Sequence, residues 1–364
     1  MSGPPIDPAA ATPASGAAPG SPLSRTINLL MLVVGGLALW FMLRRVGWAT
    51  LQVALVDVGA WFALILVLDL AALGCDAAAL HAFMRPEARM IRYPRVLGAQ
   101  AAGRAINVLT PGGALGEVVK LTLLDDHVPR ARALSSIVLL NLASTYLSVA
   151  IMLIGVPITL LAVELPPAVA TAVEVALAVL VPALVGLAVL VQRGALATTL
   201  TTLGRLRIIG PARVASWSER VTEVDRHLRE LVRQRSAGTW RGLAWLVGAR
   251  VLGWSATTVL IVAAGVTPSP LLLTGVFSVG VLIAWVAAIV PLGLGLADGG
   301  NYALYSVLGA TGPHGLVITM LSRARTVTIA GLGLLVLAGL DVEARLRLRR
   351  VRRKLADLRG QRRG

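Results

Sequence analysis

The residues best suited to chemistry lie in one run of eighteen, Gly103-Arg104-Ala-Ile-Asn107-Val-Leu-Thr110-Pro111-Gly112-Gly113-Ala-Leu-Gly116-Glu117-Val-Val-Lys120. Arg104, Asn107 and Thr110 are spaced by threes, which puts them on one face of a helix. Pro111-Gly112-Gly113 then breaks that helix. A break of this kind exposes unpaired N–H groups at the start of the next helix, where the positive end of its dipole suits an anion such as a phosphate. Arg104 could add a bidentate phosphate contact. Glu117 could balance Lys120 or Arg104, or carry a proton. The same side chains could equally satisfy one another as an ion-pair cluster that holds a helical hairpin shut, and spacing leaves both readings open.

A looser version of this pattern occurs late in the chain, Pro291-Leu-Gly293-Leu-Gly295-Leu-Ala-Asp298-Gly299-Gly300. In both runs a proline and glycines precede an acid, six residues on at Glu117 and seven on at Asp298. Paired discontinuous helices in two halves of a chain are a transporter signature. Arg323 and Arg325, in the next apolar segment, are the expected counter-charges for Asp298. The candidate substrate-binding set is therefore Arg104, Asn107, Thr110, Gly112, Gly113, Glu117, Lys120, Asp298, Arg323 and Arg325. Asp76, near the end of an apolar block, reads as a snorkelling or capping acid. Asp69, in mid-block, awaits either an arginine partner or a transport role. His127 beside Asp125 and Asp126 is the one cluster that could serve a transferase at the membrane surface, although adjacent acids on a loop are more often a solvated turn. Cys75 is the single cysteine and the four histidines are scattered, so no metal site or resident cofactor is expected.

These residues need elements to hold them, and composition says which kind. Of 364 residues 56% are hydrophobic and only 14% charged, against about 25% charged in soluble domains. The apolar residues come in blocks of 18 or more: Thr26–Leu43, Ala60–Leu80, Leu134–Val163, Ala168–Val191, Leu243–Ala264, Leu271–Val290 and Leu316–Leu340. A helix needs roughly 17–25 such residues to cross the hydrocarbon core. Strands of a membrane barrel would be about 10 residues of alternating polarity, which these are not. The expected fold is all-α, a polytopic transmembrane helical bundle of about eight spans, at 26–43, 60–83, 134–162, 168–191, 241–264, 270–290, 292–309 and 315–340. Residues 96–124 are too short and too broken for a span and read as a re-entrant helical hairpin. The two proline-glycine breaks suggest an internal pseudo-repeat.

Net charge is +16. Ten arginines against four acids in 193–241, and ten basic residues against two acids in 342–364, account for +14 of it. Both segments flank spans, the positive-inside pattern, so they and both termini are expected on the cytoplasmic side of a cell membrane. This placement leaves no reason to invoke nucleic acid. The chain divides into a low-complexity N-terminus (1–24), a first transmembrane half with the hairpin (25–192), a basic amphipathic loop (193–240), a second half (241–341) and a basic tail (342–364). Arg25 and the apolar run after it read as a retained span rather than a cleaved signal. In the loop, Trp217, Val221, Val224, Leu228 and Leu231 form an apolar stripe behind a Ser216–Glu219 capping box. With the Leu348, Val351, Leu355 and Leu358 stripe of the tail, it suits anionic headgroups or simple topology anchoring. Homo-oligomer and monomer both stay open.

In the order and spacing of Asn107…Pro111-Gly112…Gly116-Glu117 and Pro291…Gly293-Leu294-Gly295…Asp298, residues 25–341 resemble the lysylphosphatidylglycerol synthase transmembrane-region family, the flippase-like domain that also occurs as stand-alone proteins. In that family the first motif usually has a basic residue after Pro-Gly and another after Gly-Glu, and the second ends in Glu. Here Gly113 stands at the first of these positions, Lys120 lies beyond Glu117, and Asp298 replaces the Glu. The resemblance implies movement of a lipid between leaflets, a membrane lipid as partner, and no enzyme activity. The family's soluble aminoacyl-transferase domain has no counterpart in the 23 or so residues after the last span, which argues against aminoacyl-lipid synthesis. An intramembrane lipid transferase and an envelope scaffold are the alternatives.

Overall fold

The computed structural model describes residues 58–85, 91–110, 115–125, 127–162, 237–287 and 296–309 and the helix from 313 to 361, with isolated positions elsewhere; side chains are described to Glu343 in that last helix. The described residues are helical and contain no strand. Eight helices follow in order: α1 (Ala60–Phe83), α2 (Tyr93–Leu109), α3 (Leu115–Leu124), α4 (Arg130–Ala162), α5 (Ala237–Ala263), α6 (Pro270–Ala287), α7 (Leu296–Val307) and α8 (Pro313–Gln361). Four of them contain a stretch long and apolar enough to cross a membrane: α1, α4, α5 and Val317–Glu343 of α8. Large apolar side chains lie outward on these helices, among them Val67, Ile154, Leu161 and Leu335. Water would penalise that surface, and lipid does not. The chain is a membrane helical bundle.

Local sequence explains where the helices stop. Pro94 sits in the first turn of α2, where its missing N–H costs nothing. The helix ends at Thr110 in extended backbone (φ −113°, ψ 142°), the conformation a following proline imposes. After α5, Gly265 at φ 81° lets the Val266 N–H reach the Ile261 carbonyl at 3.2 Å and its own N–H reach Val262 at 2.9 Å, a Schellman closure. Ser269 then caps α6 by accepting the Leu272 N–H at 3.1 Å, with Pro270 as first helical residue. Within the helices, Ser148, Thr159, Thr258, Ser278 and Thr328 each donate to the carbonyl four residues back. Lipid offers these hydroxyls no partner, so they take one from their own helix.

The second half repeats the first. Among the described residues each has a long helix, a pair of short helices and another long helix: α1, α2–α3, α4, then α5, α6–α7, α8. The same interval of 177 residues separates Ala60 from Ala237 and Tyr93 from Pro270, the starts of equivalent helices. The packing repeats with exchange. The first helices of the halves, α1 and α5, lie along each other, α2 packs on α8, and α6 packs on α4. Named contacts fix the directions. Phe83 fills the space over Gly242, Cys75 lies over Gly248, Leu340 lies over Gly98 and Ala101 over Gly333. Along both pairs, position in one helix falls as it rises in the other, so both are antiparallel. Gly98 and Gly275 are the sixth residues of α2 and α6, and Gly103 and Gly280 the eleventh. All four admit a neighbour within 4 Å of where a Cβ would stand.

The repeat places the expected spans 270–290 and 292–309 on α6 and α7. The segments 270–290 and 292–309 were expected to be two crossings. The structure makes them α6, of 18 residues, and α7, of 12, about 27 and 18 Å long. The pair packs as a hairpin, with Ile283 against Gly300 and Leu308 against Gly275. The expected hairpin at 96–124 is present as α2 and α3, and the expected spans at 60–83, 134–162, 241–264 and 315–340 fall on α1, α4, α5 and α8. Spans 26–43 and 168–191, the breaks Pro111–Ala114 and Pro291–Gly295, and the amphipathic segment 216–231 lie wholly or mostly outside the described residues. The tail is part of α8, which runs unbroken to Gln361 rather than starting a separate helix.

The antiparallel α1–α5 pairing has a direct test. A Cβ on residue 248 would lie 4.0 Å from the Cys75 Sγ, within adjustment range of a disulfide. Gly248→Cys is expected to crosslink under mild oxidation, so that fragments cut in the Arg-rich 193–236 segment stay joined until reduced. Gly253→Cys, with nothing within 4 Å of its Cβ position, should not crosslink. Free fragments in the first variant would overturn the pairing.

Candidate functional site: a charged cluster between the halves

The crossing of α2 and α3 is built on two glycines. A Cβ on Gly116 would collide with the Gly103 carbonyl and the Asn107 amide, and one on Gly103 would collide with the Lys120 side chain. Close backbone approach of this kind lets polar side chains clasp the hairpin. Asn107 does so from both ends of its amide. Its Oδ1 accepts the Gly116 N–H at 2.6 Å and its Nδ2 donates to Glu117 Oε1 at 2.8 Å. Lys120, buried, donates to the same Oε1 at 3.0 Å. Glu117 Oε2 is buried and accepts no hydrogen bond among the described residues. Thr110 donates its hydroxyl to the Ile106 carbonyl at 2.7 Å.

Of the sequence-derived set, Asn107, Glu117 and Lys120 thus meet in one clasp. One N–H expected to be open for an anion, that of Gly116, is already taken by Asn107. Thr110 satisfies its own helix. Gly112 and Gly113 fall outside the described residues, as does the side chain of Asp298.

Arg104 leaves this clasp and crosses to α1, where its guanidinium lies 3.5 Å from the Asp76 carboxylate. Its side chain is 40% exposed. Arg250 of α5 approaches from the other half. It acts electrostatically on Asp76 together with Arg104 and Lys120, and donates to the Ser144 hydroxyl of α4 at 2.7 Å. The cluster therefore draws on α1, α2, α3, α4 and α5. Asp76 is part of it rather than a snorkelling acid at a helix end. Arg250 and Ser144 were not legible in the sequence as site residues. Arg250 lies inside the apolar block Leu243–Ala264, and an arginine in such a block is itself the signal.

A second charged group joins three helices further along. Arg325 of α8 donates through Nε and Nη2 to the two oxygens of Asp69 on α1, both at 2.5 Å, and through Nη1 to Thr257 of α5 at 3.1 Å. Asp69 is 4% exposed. The arginine partner left open for Asp69 is therefore Arg325. The expected pairing of Arg325 with Asp298 falls on a side chain outside the described residues. Arg323, two residues away on α8, lies on another face of the helix and has interactions of its own. Arg95 and Glu343, 3.8 Å apart, join α2 to α8 near the far end of that helix. Asp125 and His127 lie in the turn after α3.

No curated protein and no solved structure is significantly similar to the chain. Residues 28–333 match the family described as Lysylphosphatidylglycerol synthase TM region. The match covers both hairpins and every charged residue of the two clusters. The chain belongs to the lysylphosphatidylglycerol synthase TM region family, a family of membrane proteins related to lipid handling.

Proposed function

We propose that the protein is a lipid transporter that moves a lipid with an anionic or isoprenoid-phosphate head between leaflets of the cell membrane, and is not an enzyme. The observation that carries this reading is the Asp76–Arg104–Arg250 cluster, which residues from both halves build deep within apolar helices. Charges in such a place are costly unless they serve a polar cargo or each other. Two hairpins of short helices, the first of which supplies Arg104, suit an architecture in which broken helices shelter a head group near the midplane. The tails would stay in lipid while the head passes the cluster. Glu117, with one oxygen in the clasp and the other without a described partner, is suited to carry a proton or to hold the hairpin as the head passes. Asp298 would tune charge from the second hairpin. The basic segments 193–241 and 342–364 would hold both termini on the cytoplasmic side and contact anionic headgroups there. The chain has no Walker motif, so an ion gradient, a partner or the lipid gradient itself would drive movement.

The test is leaflet-to-leaflet movement of labelled lipids in proteoliposomes, across anionic, zwitterionic and isoprenoid heads, with an unrelated membrane protein as control. Arg104→Ala and Glu117→Gln are each expected to slow movement of the preferred lipid by about tenfold or more, the factor that ~1.4 kcal/mol at the rate-limiting step would give. Equal and unselective movement in all samples, with both variants folded, would sink the reading.

A further inference from the structure

The charges of the cluster do not balance. Lys120 and Glu117 neutralise each other at 3.0 Å. That leaves Arg104 and Arg250 with Asp76 as their one carboxylate, a net charge of +1 among the described residues. The contacts are also loose. Arg104 stands 3.5 Å from Asp76, longer than the ~2.7–2.9 Å of a charge-assisted hydrogen bond. The hydrogen bond described for Arg250 goes to the neutral Ser144 hydroxyl. Two guanidinium forks, with about five N–H donors each, therefore act on one carboxylate, which only Arg104 meets in a described ion pair, at 3.5 Å. The same protein shows what a closed pair looks like, since Arg325 and Asp69 meet through two bonds of 2.5 Å. Arg104 comes from the first hairpin and Arg250 from the first helix of the second half. Gly248 of α5, within a turn of Arg250, lies against Cys75 of α1, the neighbour of Asp76.

We infer that Arg104 and Arg250 form a two-guanidinium seat for one phosphate-type oxyanion of single charge, and that Asp76 is the resident counter-ion which the anion replaces. A phosphodiester carries one negative charge and offers two oxygens, one for each fork, so it turns the +1 cluster neutral. Its arrival frees Asp76 from Arg104 and ties the α2 hairpin to α5 across the two halves. Asp76 thus competes with the ligand for Arg104. The inference deepens the transport reading by assigning the part of the head group that is recognised, and rests on that reading for the lipid cargo though not for the anion seat itself.

The experiment is binding to the purified full-length protein in detergent, by calorimetry. The probes are short-chain phosphatidylglycerol, short-chain phosphatidylcholine of equal length, and inorganic phosphate. Arg104→Ala and Arg250→Ala are each expected to weaken phosphatidylglycerol binding about tenfold or more. Asp76→Asn, which keeps shape and removes the competing charge, is expected to tighten it about threefold or more. Arg250→Lys keeps the charge without the fork and should fall between. If an alanine variant does not fold, the lysine and asparagine variants decide alone. Tighter binding of the lipid than of phosphate supports the seat and assigns it to a head group. Equal binding of both supports the seat and assigns it to free phosphate. Weaker or unchanged binding in Asp76→Asn, or unchanged binding in a folded Arg250 variant, overturns the inference. Lipid movement that persists while binding ignores Arg250 and Asp76 would refute the seat and leave transport standing. The expected binding pattern without any lipid movement would do the reverse.

Discussion

Asp69→Ala is expected to destabilise the protein by about 3–5 kcal/mol, the cost of leaving a buried charge without its partner. The carboxylate is 4% exposed and takes both arms of the Arg325 fork, which also reaches Thr257. Removing it strands a guanidinium between α1, α5 and α8 with Thr257 as its remaining described hydrogen-bond partner. Arg325→Ala is expected to cost as much. Replacing both partners with leucine removes both desolvation penalties together and should recover most of the loss. The comparison is made on detergent-solubilised protein, by unfolding with heat and by yield of folded material. A double variant as damaged as the sum of the single ones would show that the two side chains act separately. Asp298→Asn serves as a contrast. With Arg325 already engaged by Asp69, that change should leave unfolding unaltered, and a loss comparable to Asp69→Ala would overturn the assignment of partners.

The pairing of Asp69 with Arg325 also marks the limit of what the sequence disclosed. Membrane class, helical architecture and the first hairpin follow from block length and from Pro111 and its glycines, features that act within a few residues. The Asn107–Glu117–Lys120 clasp was half legible for the same reason, since its members lie within fourteen positions and face each other once the hairpin closes. Partners 256 positions apart, as Asp69 and Arg325 are, carry no such local mark. Arg325 was therefore assigned to the acid nearest in sequence, Asp298. The second hairpin was legible as a repeat of motif, while the packing of α7 back on α6 joins residues such as Ile283 and Gly300 that hydropathy does not pair. Arg250 was hidden by the opposite error, an apolar block taken as uniform when one member was charged. The length and exchange of the repeat emerge only when equivalent helices are seen packing on each other's partners. Its functional consequence is that the Asp76–Arg104–Arg250 cluster lies where the halves meet, so any relative movement of α2 against α5 changes its geometry directly.

That geometry depends on how closely α2 and α3 cross, and the crossing predicts a sharp contrast between two glycines. Gly116→Val is expected to destabilise the protein by about 3 kcal/mol or more, at the upper end of what overpacking costs. The obstacle is the Gly103 carbonyl, part of a helix backbone, and cannot swing aside as a side chain would. The helices must separate, and the Gly116 N–H then loses its 2.6 Å bond to Asn107. Asn107 in turn loses its hold on Glu117, and Arg104, one turn back on α2, shifts against Asp76. Gly253→Ala, in the middle of α5 with nothing within 4 Å of the new methyl, should instead be neutral or stabilise by up to about 1 kcal/mol, the usual gain of alanine over glycine in a helix. Unfolding of both variants in detergent gives the difference. If Gly116→Val unfolds like wild type, the hairpin is not held by backbone contact at that crossing. The clasp would then be a product of its side chains alone, and Glu117→Gln would have to carry the whole loss that Gly116→Val failed to show.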